Sequence, residues 1–167
     1  MSVAIAATLS AVAALALRGV GEWSWVVPAA GGAVGLLVLP VRERQRADWS
    51  WLIVTAAGCL PFLVARSTAS PRLSGGGLVI FAVIVAAVGE ELLFRRAVYG
   101  LLERRSVVLA VVATSGLFAL VHVPMYGWRF AALDLAAGFV FGWQRWATRT
   151  WTAPAVTHVV ANVVQYL

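Results

Sequence analysis

Residues Leu78–Tyr99 read LVIFAVIVAAVGEELLFRRAVY. Twelve apolar or small residues lead into Glu90, with no polar stripe on any face of a helix. The run is long enough to cross a bilayer, at about 20 residues per crossing. Yet Glu90, Glu91, Arg95 and Arg96 interrupt its second half. An ionisable side chain inside lipid is costly, and it marks a candidate functional site by default.

The rest of the chain has the same character. Of its 167 residues, 62% are hydrophobic and only 12% charged, with a mean hydropathy of +0.89. A soluble domain has about 25% charged residues, so this chain lacks the polar surface of a water-soluble globule. Charged and turn residues divide it into seven apolar runs: Ser2–Leu17, Trp23–Val41, Trp49–Ala65, Leu78–Tyr99, Val107–Met125, Phe130–Trp146 and Thr152–Leu167. The expected fold is all-α, a polytopic transmembrane helix bundle of about seven helices. Residues 1–77 would supply three N-terminal helices and residues 78–167 a four-helix core. Run one lacks the basic n-region of a signal peptide and reads as an uncleaved first helix. All eight tryptophans fall near run ends, as aromatic belts at membrane interfaces do. The pairs Gly31/Gly35 and Gly138/Gly142 have the spacing that lets helices approach closely.

The net charge is +6, and every basic residue is arginine. In a soluble protein such a balance would point to nucleic acid. Here the arginines sit at the ends of apolar runs, and nucleic acid is not an expected partner; the lipid bilayer is. With the N-terminus inside, nine arginines (42, 44, 46, 95, 96, 104, 105, 145 and 149) face the cytoplasm and four (18, 66, 72 and 129) face out. Leaving out Arg95 as intramembrane keeps the bias at eight to four. The positive-inside rule therefore places the N-terminus in the cytoplasm and the C-terminus outside a plasma (inner) membrane. Cys59, alone in an apolar run, reads as a small buried hydrophobe.

The first half has no ionisable residue within its runs, whereas the second has several costly polar ones: Glu90, Glu91, Arg95, His122, Asp134, His158 and Asn162. Glu91 and Arg95, four apart, share a helix face and can pair. Glu90 is rotated by about 100° from Glu91, which turns it toward a cavity. A buried carboxylate there suits a general base. His158 and Asn162 are also four apart and can donate hydrogen bonds in one direction, as an oxyanion requires; alternatively the histidines contribute to a metal site. Asp134 reads as an interfacial partner of Arg129. His122 falls near the outer end of its run, Glu90 nearer the middle of its own, and Pro124 marks a possible early end of the fifth helix. No His-Glu-x-x-His motif, phosphate loop or dinucleotide fingerprint is present. A single intramembrane Asp excludes an aspartyl dyad. Ser115 and His122 lie on one helix, against a rhomboid-like arrangement.

Three motifs, in order on three separate runs, carry a resemblance. Glu90-Glu91-Leu92-Leu93-Phe94-Arg95 resembles the EExxxR motif of the CPBP intramembrane proteases (CAAX proteases and bacteriocin-processing enzymes, formerly Abi). Phe118-Ala119-Leu120-Val121-His122 resembles its FxxxH motif, and His158-Val159-Val160-Ala161-Asn162 its HxxxN motif. Arg149–Pro154 is similar to the turn that precedes the last of these. The resemblance covers about residues 78–167. It implies a prokaryotic intramembrane endopeptidase acting on a polypeptide in or at the membrane, membrane-anchored or C-terminally tagged. On that reading Glu90, assisted by His122, activates water; His158 and Asn162 form the oxyanion hole; Glu91 and Arg95 hold the site's geometry. The glutamate mechanism needs no cofactor. A zinc-dependent version would use Glu90, His122 and His158 as ligands. Two other readings of the same residues are a non-catalytic immunity or scaffold protein of this fold and a small proton or ion carrier. Neither needs Glu90, His122, His158 and Asn162 together.

Overall fold

The computed structural model describes residues 2–17, 26–37, 49–68 and 73–167. Within them the chain forms seven helices: α1 (Ser2–Leu17), α2 (Val26–Leu37), α3 (Trp49–Thr68), α4 (Gly77–Leu102), α5 (Val107–Tyr126), α6 (Ala131–Thr148) and α7 (Thr152–Val163). No strand occurs among the described residues. By length and composition, α3, α4 and α5 can each cross a membrane. At 12 residues, α7 is shorter than the apolar run that contains it. After α7 the chain turns, and the Leu73 N–H donates to the Gln165 carbonyl at 2.9 Å, tying the segment before α4 to the C-terminal turn. The ends of run two, and Arg18, Arg42, Arg44, Arg46 and Arg72 of the charge bias, lie outside the described residues. Arg95 is fully buried and belongs to the bundle interior rather than to a loop.

Two close approaches hold the bundle. Gly35 of α2 lies on the Leu92 carbonyl and Gly89 of α4 on that of Pro28, leaving no room for a side chain at either position. On α6, a Cβ at Gly138 would stand 2.9 Å from the Ser115 Cα of α5. Both glycine pairs seen in the sequence therefore contribute to helix contacts. Around these seams Leu15, Leu93, Phe94, Phe118, Val121 and Phe141 form one core, so α1 packs into the same interior as α4, α5 and α6.

Helix α4 is α-helical through Glu91, widens to a π-helix over Leu92–Val98, and regains α geometry at Tyr99–Leu102. Single π turns leave backbone groups available for other partners. In this stretch the Arg95 carbonyl accepts Arg145 Nε of α6 at 3.0 Å, while Arg145 Nη2 reaches Glu103 Oε1 at 3.1 Å. Helix α5 is capped by Ser106, whose Oγ accepts the Leu109 N–H, and ends at Gly127 (φ 81°). Pro124 does not end it early: the helix includes Pro124 and runs on to Tyr126. Helix α6 ends at Arg149, in a left-handed conformation (φ 60°), and the 149–151 turn leads into α7. Cys59 is partly buried on α3, and its thiol lies 3.6 Å from Thr157 Oγ1 of α7.

Candidate functional site

The helix seams bring α4, α5 and α7 together, and with them five buried ionisable side chains. Glu90, Glu91, Arg95, His122 and His158 are each at most 6% exposed. On α4, Glu91 Oε1 accepts Arg95 Nη1 at 3.3 Å, the pair expected from their spacing. The same oxygen accepts His158 Nδ1 at 3.0 Å, a contact between residues 67 apart that spacing could not reveal. Glu90 points the other way. Its Oε2 lies 3.6 Å from His122 Nε2 and 3.9 Å from His158 Nε2. The two glutamates are thus adjacent in sequence and separate in partners.

Aromatic rings set the walls. Phe118, one turn before His122, has its ring 4.5 Å from that imidazole and 5.4 Å from His158. Phe141 of α6 stacks on His158 at 4.9 Å. The Arg95 guanidinium stands 4.9 Å from the Phe118 ring centre and 5.2 Å from that of Phe141, and its Nη2 donates to the Gly138 carbonyl at 3.0 Å. These are cation–π distances. Phe118 belongs to the FxxxH motif; Phe141 and the Gly138 carbonyl carried no signal beyond apolarity and small size.

The ring nitrogens have fixed tasks. His122 Nδ1 lies 2.7 Å from the Phe118 carbonyl, which can only accept, so Nδ1 carries a proton and Nε2 faces Glu90. His158 Nδ1, against the Glu91 carboxylate, is likewise a donor, and its Nε2 faces the Glu90 side.

A cavity of about 290 Å³ opens from this cluster. Glu90, His122, His158 and Asn162 all line it. Asn162 is partly exposed there, and its amide makes no hydrogen bond among the described residues. The wall continues along α4 through Ala86 to Ala82, along α5 to Tyr126, and past the end of α7 to Gln165. These stripes all run toward the helix ends that share a face with the C-terminus. Along α4 the glutamate sits about 20 Å of helix from Gly77, whereas His122 is about 6 Å from the end of α5. The helices are therefore staggered, which brings the two side chains to one level despite their different places in the apolar runs.

Asp134 departs from its expected pairing. It does not meet Arg129, whose guanidinium lies 4.8 Å from the Phe130 ring centre. It is half-buried on the cavity wall instead. Helical spacing explains this: Asp134, Ala137 and Phe141 share one face of α6, and all three line the cavity. As for a metal, no group of three or more His, Cys, Asp or Glu side chains among the described residues is arranged to hold one.

The architecture is that of an all-helical membrane bundle with a buried glutamate–histidine centre on three of its helices. A family model described as type II CAAX prenyl endopeptidase Rce1-like matches residues 72–164, a span that includes all three motifs. The match covers more than half of the chain, and the chain belongs to this family of CAAX-type proteases, within the CPBP group. No curated protein and no solved structure matches it.

Proposed function

We propose that this chain is an intramembrane endopeptidase that hydrolyses a membrane-associated or C-terminally tagged polypeptide, with residues 78–167 as its catalytic core. The observation that carries the proposal is the division of labour between the glutamates: Glu91 is committed to Arg95 and His158, while Glu90 faces the cavity beside His122 Nε2. A water held by Glu90 and His122 loses its proton to them as its oxygen attacks the scissile carbonyl. The oxyanion accepts hydrogen bonds from His158 Nε2 and the Asn162 amide. Collapse breaks the C–N bond, and the proton passes to the leaving amine.

The fixed tautomers add a requirement. Because Nδ1 of His158 already donates to Glu91, its Nε2 donates only if the ring is an imidazolium. Carboxylate oxygens lie 3.0 Å from its Nδ1 and 3.9 Å from its Nε2, and Phe141 stacks on the ring. Glu90⁻, Glu91⁻, Arg95⁺ and His158⁺ then sum to zero. When a proton reaches Glu90 and negative charge appears on the oxyanion, the sum remains zero. A buried cluster that keeps its net charge through the reaction avoids the large cost of an uncompensated charge in low dielectric.

The cavity opens toward the face that carries the C-terminus, and the arginine bias assigns that face to the outside. Substrates therefore enter from the extracytoplasmic side of the membrane. Mass spectrometry of new peptide termini in membranes containing wild-type or Glu90→Gln protein tests this. Expected are termini in outer juxtamembrane segments that depend on Glu90. Identical patterns in the two samples, or Glu90-dependent termini confined to the cytoplasmic face, would contradict the reading.

A further inference from the structure

One acid of the cavity stands apart from the cluster. Glu91 is held by Arg95 and His158, and Glu90 faces the two histidines, but Asp134 lines the same cavity and forms no ion pair or hydrogen bond among the described residues. The titratable groups that act on its carboxylate are His122, Glu90 and His158. Arg129, the nearest cation in sequence, is engaged with Phe130. Asp134 sits about 10 Å of helix from Phe141, toward the mouth, a length spanned by about three residues of extended peptide. Leu133, Ala137 and Met125 line the same cavity. A half-buried carboxylate on a cavity wall gains most from a cation that arrives with the substrate.

We infer that Asp134 is a specificity-determining residue that binds a basic side chain, arginine or lysine, of the substrate within about three residues of the scissile bond. The inference rests on the endopeptidase reading and names its substrate class: a membrane polypeptide with a cationic residue beside the cleaved segment, near the outer interface. Such a residue is rare inside lipid and common at its edge, which matches the position of Asp134 near the start of α6.

The test is binding to Glu90→Gln protein in lipid nanodiscs. The probes are short apolar peptides carrying one arginine, placed in turn at each position, and their neutral twins with citrulline. At one register the arginine peptide should bind about ten- to a hundredfold more tightly than its twin. Asp134→Asn should bring the ratio near one, and Asp134→Arg should shift preference to a glutamate peptide. Because a ratio is read, a misfolded fraction cancels. Equal binding of the twins at every register, no binding of either, or a preference that survives Asp134→Asn would overturn the inference. Cleavage is not part of the readout. A wild-type protein that cleaves nothing sinks the endopeptidase reading alone; one that cleaves but shows no arginine preference sinks the role of Asp134 alone.

Discussion

Glu91 holds both Arg95 and His158 on a single oxygen. Glutamine there keeps an acceptor and loses the charge. Breaking one side of a buried ion pair costs about 3–5 kcal/mol, so Glu91→Gln should accumulate in membranes at a severalfold lower level by quantitative immunoblot. Adding Arg95→Gln removes the orphaned cation and should restore much of the abundance. It should not restore cleavage, because His158 Nδ1 still lacks the carboxylate that accepts its hydrogen bond. Full activity in the double variant would contradict the role given to that carboxylate. The Glu91–Arg95 pair was legible in the sequence because both residues ride one helix at a spacing of four. The Glu91–His158 bond was not, since it depends on how α4 and α7 dock. Asp134 was misread for the same reason: nearness along the chain pointed to Arg129, while the rotation of α6 pointed to the cavity.

Among the elements, α6 links scaffold and site. Gly138 allows α5 to approach through Ser115, and its carbonyl accepts Arg95 Nη2. Gly138→Val forces a branched side chain into the Ser115 backbone. Overpacking of this kind costs about 1–3 kcal/mol, so thermal unfolding in detergent should show a lowered Tm, with cleavage lost in proportion to the displacement of Arg95. Gly116→Ala, where a Cβ meets nothing within 4 Å, is the matched control and should leave Tm unchanged or slightly raised. A Tm for Gly138→Val equal to wild type would show that the seam is looser than described. The glycine spacing announced these seams in advance. The π widening of α4 had no such signal, because no residue type encodes it. It coincides with tertiary contacts, Gly35 on the Leu92 carbonyl and Arg145 on that of Arg95. The stagger between α4 and α5 was hidden for a related reason: hydropathy marks where a run ends, not the level at which two helices pack.

For the whole molecule, composition alone decided the class, since 62% hydrophobic residues leave too little polar surface for water. The three motifs located the centre because each is short and local to one helix. The cavity's opening required the assembled bundle. The account stands or falls on Glu90 as the group that activates water without help from a metal. The direct measurement is cleavage of a membrane peptide by purified protein in liposomes, wild type beside Glu90→Gln, in the presence of a strong chelator. A general base contributes about 10²–10⁴-fold. The account predicts that wild type keeps its activity under chelation and that Glu90→Gln, equally abundant and folded, loses activity by a factor in that range. Loss of wild-type activity on chelation, restored by zinc, would instead make Glu90, His122 and His158 metal ligands. Cleavage by Glu90→Gln at the wild-type rate would contradict the mechanism itself.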